Sequence, residues 1–140
     1  MRRILHTMLR VGNMQRSVNF YTQIIGMKVL RTLEQQDEAY TLVFLGFEDE
    51  SETSVLELTY NYGISTYDLG NAYGHIAIGV EDIHKVSADM KNCNIQFSLE
   101  PCKLMGSNEI IAFITDPDGY KIELIERPRY DSNTQTQVHT

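Results

Sequence analysis

Apolar and polar residues alternate along much of this chain with a period of two, and the alternation gives way twice to the period of a helix. The first alternating stretch spans residues 3–11. It sets His6, Met8 and Arg10 on one face and Leu5, Thr7, Leu9 and Val11 on the other. Gly12-Asn13 interrupts it, and Asn13 is suited to cap a helix over residues 14–25 with Met14, Val18, Tyr21 and Ile25 as its apolar stripe. Gly26 supplies a left-handed stop. Strands are predicted at 27–33, 39–45 and 53–60, separated by a polar turn over 34–38 and a solvated acidic loop over 48–52.

After a polar connection over 64–72 the same series returns. A strand at 73–80 alternates His75, Ala77 and Gly79 against Ile76, Ile78 and Val80. Asp82 can cap a helix over 83–92 with the stripe Ile83, Val86, Met90 and Cys93. A strand at 95–99, a loop over 100–108, and strands at 110–115 and 120–126 about the turn Asp116-Pro117-Asp118-Gly119 complete it. An offset of 69 residues aligns His6 with His75, Val11 with Val80 and Met14 with Ile83; an offset of 66 aligns Glu57 with Glu123. The pattern predicts an α+β fold made of two βαβββ modules in tandem. They cover about 3–62 and 73–126 of a single domain over 1–140, and the polar stretch 131–140 forms a C-terminal tail.

The repeat gives meaning to four residues. Glu57 and Glu123 each sit in a strand where an inward-facing side chain is expected, and a carboxylate there is costly unless hydrogen bonds, a cation or a metal compensate it. Each module opens with a strand carrying a histidine and ends with a strand carrying one of these glutamates. A single His or Glu in a strand is ordinarily a core or surface residue. Two of each, at matching points of a repeat, have the composition of a divalent metal site. Nitrogen and oxygen ligands without thiolate suit Ni2+, Co2+, Fe2+, Mn2+ or Zn2+, and four of them leave an octahedral ion two positions for water or substrate. His84 has no repeat partner, and Asp116 and Asp118 read as turn residues.

Composition then narrows the partners. Hydrophobic residues make up 42% and charged residues 22%, as in an ordinary globular protein. The formal net charge of −7 argues against nucleic acid, whose phosphates need a basic face. No apolar run approaches the roughly 18 residues of a membrane span. Residues 1–6 lead straight into a strand pattern with no leader-like core. Cys93 and Cys102 lack metal-site or redox spacing and are expected as free thiols of a cytoplasmic protein, at a helix end and in a loop.

Over residues 3–126 the chain resembles the glyoxalase I family of the vicinal-oxygen-chelate superfamily. The resemblance rests on Leu5-His6-Thr7-Met8-Leu9-Arg10-Val11, Phe20-Tyr21, Gly26-Met27, Leu56-Glu57-Leu58-Thr59-Tyr60-Asn61, Tyr73-Gly74-His75-Ile76-Ala77, and the run from Asp116 through Gly119 to Leu124. It implies that His6, Glu57, His75 and Glu123 are metal ligands, with Ni2+ or Co2+ favoured for so compact a chain and Zn2+ possible. It implies a homodimer of paired modules, each active site lying at the subunit interface. Arg10 and Asn61 match the positions that hold the γ-glutamyl end of glutathione. Lys103 matches the lysine that meets its glycyl carboxylate, although Leu104-Met105 stands where the family has a glycine-rich stretch. The implied reaction isomerises the methylglyoxal–glutathione hemithioacetal to S-D-lactoylglutathione through an enediolate, with Glu123 as principal base and Glu57 as its opposite partner. The scaffold also leaves room for other metal-dependent chemistry (an epimerase, a dioxygenase or a thiol transferase) and for a non-catalytic ligand-sequestering protein. The thiol itself, glutathione or trypanothione, stays open.

Overall fold

The computed structural model describes residues 1–127; the expected tail at 131–140 lies outside them. In chain order the elements are β1 (His6–Arg10), α1 (Met14–Asn19) continuing into a π-helical turn (Phe20–Ile24), β2 (Lys28–Gln35), β3 (Tyr40–Gly46), β4 (Val55–Asn61), β5 (His75–Val80), α2 (Ile83–Asn92), β6 (Phe97–Lys103), β7 (Ile110–Thr115) and β8 (Lys121–Glu126). They form two four-stranded sheets, ordered β1-β4-β3-β2 and β5-β8-β7-β6. In each sheet the first and last strands of the module lie side by side and parallel, while the other pairs are antiparallel. The fold is α+β, with two βαβββ modules in tandem. The structure divides into one unit of Met1–Gly74 with Asp116–Tyr120 and a second beginning at His75 and resuming at Lys121. The turn between β7 and β8 thus belongs with the first unit, a placement that no local pattern announces.

Both helices begin where their caps predict. Asn13 Oδ1 accepts from the Arg16 amide at 3.0 Å, and Asp82 Oδ1 accepts from the Lys85 amide at 3.2 Å. The first helix does not run as a regular α-helix to Ile25. From Phe20 it widens, and the Ile25 amide donates to the carbonyl of Phe20, five residues back, at 3.1 Å. The wider turn sets the rings of Phe20 and Tyr21 edge to face at 5.0 Å and lets the Tyr21 hydroxyl reach the buried Asp116. The buried face is therefore Ser17, Phe20 and Tyr21, and the expected stripe residues Met14, Val18 and Ile25 are only half-buried. On α2, Ile83 and Met90 are buried as expected, with Ser87 between them, but Cys93 is exposed.

The apolar faces of the strands make the core. In the first unit Leu9, Val11, Leu45 and Leu58 are almost wholly buried, and α1 packs on β4. In the second unit Ile114, Ile122 and Leu124 are buried with Ile83, and α2 lies across β6, β7 and β8. Burial of such side chains contributes about 1.5–3 kcal/mol each.

The largest departure from the expected elements is β6, which runs on through Glu100, Pro101 and Cys102 to Lys103 instead of yielding to a loop after Leu99. It is the edge strand of its sheet, and its pairing with β7 slips twice, between Phe97 and Leu99 and between Leu99 and Cys102. An edge strand with bulges tolerates a proline, because the missing amide need not face a partner. Cys102 consequently lies in a strand. It and Cys93 are exposed free thiols.

Candidate active site

The parallel pairing of β1 and β4 sets Met8 opposite Glu57, so His6 lies one pleat away on the same face. The two side chains meet, with His6 Nε2 3.0 Å from Glu57 Oε2. The second unit repeats the construction. Ala77 is opposite Glu123, His75 is one pleat away, and its Nε2 lies 3.5 Å from Glu123 Oε1. Exposure matches as well, at 41% and 42% for the two histidine side chains and 12% and 14% for the two glutamates. The carboxylates are thus largely withdrawn from water while the imidazoles face outward. Among the described residues the Glu57 and Glu123 carboxylates accept no hydrogen bond, and the close polar contacts they have are with His6 and His75. Nearly buried carboxylates so poorly compensated, each beside an imidazole nitrogen, are a donor set that fits a divalent cation. Each unit brings together one such pair. Among the described residues no three His, Cys, Asp or Glu side chains gather to hold a metal ion.

Each histidine is also held by an aromatic ring. His6 meets Phe44 edge to face with centroids 5.6 Å apart, and His75 meets Phe113 in the same way at 5.2 Å. Phe44 is the cross-strand neighbour of Glu57, and Phe113 of Glu123. Neither phenylalanine is conspicuous in the sequence, since both sit in nearly continuous apolar strands. A signal was nonetheless present: the offset of 69 that relates His6 to His75 also relates Phe44 to Phe113. The pairs differ in what covers the ring. The Arg31 guanidinium lies 3.6 Å above Phe44 and is gripped by both oxygens of Glu50 at 2.8 and 3.0 Å. That hydrogen bonding holds Arg31 above and Glu50 below their usual ranges. In the second unit the residue registered with the phenylalanine is Leu99.

Arg10 and Asn61 lie toward the other end of the first sheet. Arg10 is opposite Thr59 and exposed, with no ion pair among the described residues. Asn61 ends β4 on the face shared by Glu57 and Thr59, half-buried, and its Nδ2 donates to the Tyr67 hydroxyl at 3.1 Å. Lys103 ends β6 in the second unit, exposed and without an ion pair among the described residues. It borders an open concavity of roughly 490 Å³ formed with residues 104–108.

Asp116 and Asp118 do make the turn expected of them. Asp116 Oδ1 accepts from the amides of Asp118 and Tyr120, both at 2.9 Å. They also anchor it. Asp116 Oδ2 accepts from the Tyr21 hydroxyl at 2.6 Å. Asp118 accepts from the Gly12 amide at 2.8 Å, from Ser17 at 3.1 Å and from Arg16 at 3.1 Å, and the Tyr120 hydroxyl donates to the Arg10 carbonyl at 2.8 Å. Burial pushes Asp116 above the ordinary carboxylate range, despite the hydrogen bonds that oppose the shift. Burial also pushes Tyr21 far above the usual phenol range, helped by the charge of Asp116.

Two βαβββ modules in tandem define a class of fold, and the chain belongs to one family of it: residues 3–124 match the Glyoxalase/Bleomycin resistance protein/Dioxygenase superfamily. Within it, the chain is 53% identical over 124 residues to the probable lactoylglutathione lyase of Vibrio cholerae, covering 89% of this chain and 90% of that one. It is 44% identical over 136 residues to the lactoylglutathione lyase of Neisseria meningitidis, covering 97% and 99%. Among solved structures it is similar to the trypanothione-dependent glyoxalase I of Leishmania major, at 51% identity and a TM-score of 0.82 over 90% of this chain and 87% of that one. It is also similar to maize glyoxalase I, at 43% identity and a TM-score of 0.87, where it spans 45% of the longer maize chain.

Proposed function

We propose that this protein is a lactoylglutathione lyase, a glyoxalase I that converts the hemithioacetal of methylglyoxal and glutathione to S-D-lactoylglutathione and so detoxifies methylglyoxal. The observation that carries the reading is the pair of matched His–Glu half-sites, His6 with Glu57 and His75 with Glu123, in a chain whose relatives bear that enzyme's name.

Each half-site offers two donors, so a complete site draws on His6 and Glu57 of one protomer with His75 and Glu123 of the partner subunit, in a homodimer with its active sites at the interface. A divalent ion held there, Ni2+ or Co2+ in preference to Zn2+, supplies Lewis-acid polarisation of the substrate's oxygens when bound. Glu123 Oε1 faces His75, and Oε2 makes no hydrogen bond to a described residue. Oε2 takes the proton from C1 of the hemithioacetal and returns it to the neighbouring carbon, while the proton of the C1 hydroxyl passes to the oxygen on that carbon, so the isomerisation has no net gain or loss of protons. Glu57 serves from the opposite side. The imidazoles of His6 and His75, as ligands, take no part in proton transfer. Arg10 and Asn61 receive the γ-glutamyl end of the thiol and Lys103 its glycyl carboxylate. The unpaired state of both cations suits them to anionic groups. The work is cytoplasmic, which the free thiols favour.

A second reading concerns the thiol. The Leishmania neighbour, 51% identical, is itself trypanothione-dependent, so trypanothione is the rival to glutathione. Protein stripped of metal and reloaded separately with Ni2+, Co2+ or Zn2+ is given methylglyoxal with each thiol, and thioester formation is followed by absorbance. Activity restored by Ni2+ or Co2+ above Zn2+ is expected. No thioester under any combination would overturn the function.

A further inference from the structure

We infer that Tyr67 is a positioning residue for the thiol co-substrate and acts through Asn61; the inference rests on the glyoxalase I reading of the site. Asn61 stands at the end of β4, where strand pairing stops and nothing in the sheet fixes its amide. Its Nδ2 donates to the Tyr67 hydroxyl at 3.1 Å, and both residues are half-buried. With that hydrogen spent on the tyrosine, the amide is oriented and Asn61 keeps Oδ1 free to accept from an ammonium group. That acceptor, on the face that carries the unpaired Arg10, matches a free amino-acid head group, whose ammonium would meet Oδ1 and whose carboxylate would meet the guanidinium.

The loop that brings Tyr67 there is itself fixed. The Ile64 amide donates to the Asn61 carbonyl at 3.1 Å, turning the chain back immediately after the strand. One residue further on, the Ser65 carbonyl oxygen lies against Gly12, where an added Cβ would come within 1.9 Å of it. Gly12 in turn is held by Asp118 through its amide. Beyond Tyr67, Leu69 lies beside the turn, where a Cβ added at Gly119 would meet its Cδ1 at 3.7 Å, and the Gly70 amide donates to Asp68 at 2.9 Å. The tyrosine is therefore presented from a segment tied down before and after it. Its ring has only two side-chain torsions to fix, so the amide it meets is restrained at small entropic cost.

The test is a double-mutant cycle. Tyr67→Phe is expected to raise KM for the glutathione hemithioacetal about five- to tenfold, the effect of one neutral hydrogen bond. Its kcat, metal content and thermal midpoint should stay those of the parent. Asn61→Ala should raise KM as well, and Tyr67→Phe added to Asn61→Ala should raise it no further. Calorimetric binding of S-methylglutathione, which cannot react, should follow the KM values. An unchanged KM in Tyr67→Phe would overturn the inference, as would an equal fold-change in the Asn61→Ala background. A wild-type protein that binds S-methylglutathione but makes no thioester would end the functional reading alone. An active wild type indifferent to Tyr67→Phe would end this inference alone.

Discussion

The two half-sites are built to one plan and finished differently. Both place a half-exposed histidine beside a nearly buried glutamate across parallel strands, and both brace the imidazole with a phenylalanine. In the first, that phenylalanine lies under a guanidinium clamped by Glu50; in the second its registered neighbour is Leu99. The hairpin turns differ too. The turn before β4 is a long acidic loop, whereas the one before β8 is short, with Asp116 buried and bonded to Tyr21. The two halves thus share the His–Glu pair and its aromatic support, and differ in the charge around one half and in the length and anchoring of the turn in the other. The plainer electrostatic surroundings and the tighter turn both belong to Glu123, the residue proposed as base.

The sharpest way to break this comparison is to exchange the two carboxylates for amides. Glu123→Gln should lower kcat by roughly 10³-fold, the scale of a lost general base. Glu57→Gln should lose less; equal losses in steady-state kinetics would erase the functional difference between the halves. Next comes the anchored turn. Tyr21→Phe leaves Asp116 Oδ2 without its partner and should cost about 2 kcal/mol in denaturant unfolding. The pH dependence has a definite sign. Tyr21 is raised, so its contribution is fully present below its ordinary 10.0 and is lost as pH rises beyond that, where the unfolded chain ionises and the folded one resists. Asp116 is raised as well, so stability falls as pH climbs from its ordinary 3.8 through its higher folded value. Thermal midpoints measured across pH should show the alkaline slope in the parent and lose much of it in Tyr21→Phe.

Smaller effects sharpen the comparison. Phe44→Leu and Phe113→Leu should each weaken metal binding about tenfold in competition with a chelator, as loosened outer-shell support does. If only one of them does so, the aromatic brace is not a shared device. Smallest of all, Arg31→Leu makes the first half resemble the second. It should change metal affinity by only about twofold, and that change should vanish in a Phe44→Leu background.

Much of this was legible in the chain. Asn13 and Asp82 announce the two helix starts, and the offset repeat singles out His6, Glu57, His75 and Glu123 without any coordinates. The widened turn at Phe20 was not legible, because bonding five residues back instead of four leaves the sequence stripe almost unchanged. The extension of β6 was hidden by Pro101, which reads as a loop residue until the strand is known to be an edge. Asp116 and Asp118 look like turn formers because the turn is local, whereas their other partners, Tyr21, Gly12 and Ser17, are about a hundred residues away and no short pattern links them. Tyr67 was unreadable for a related reason: its bond to Asn61 depends on how the intervening loop folds back.

The parallel contact between the first and last strands of each module also carries an expectation about the order of assembly. His6 and Glu57, like His75 and Glu123, are separated by roughly fifty residues, so loop-closure entropy predicts that they meet only after the intervening antiparallel strands have paired by shorter-range contacts. A nascent or refolding chain therefore has no two-donor grip for an ion until its module is nearly finished. Added metal should leave the refolding rate of either module unchanged and act only afterwards, on the lifetime of the folded state.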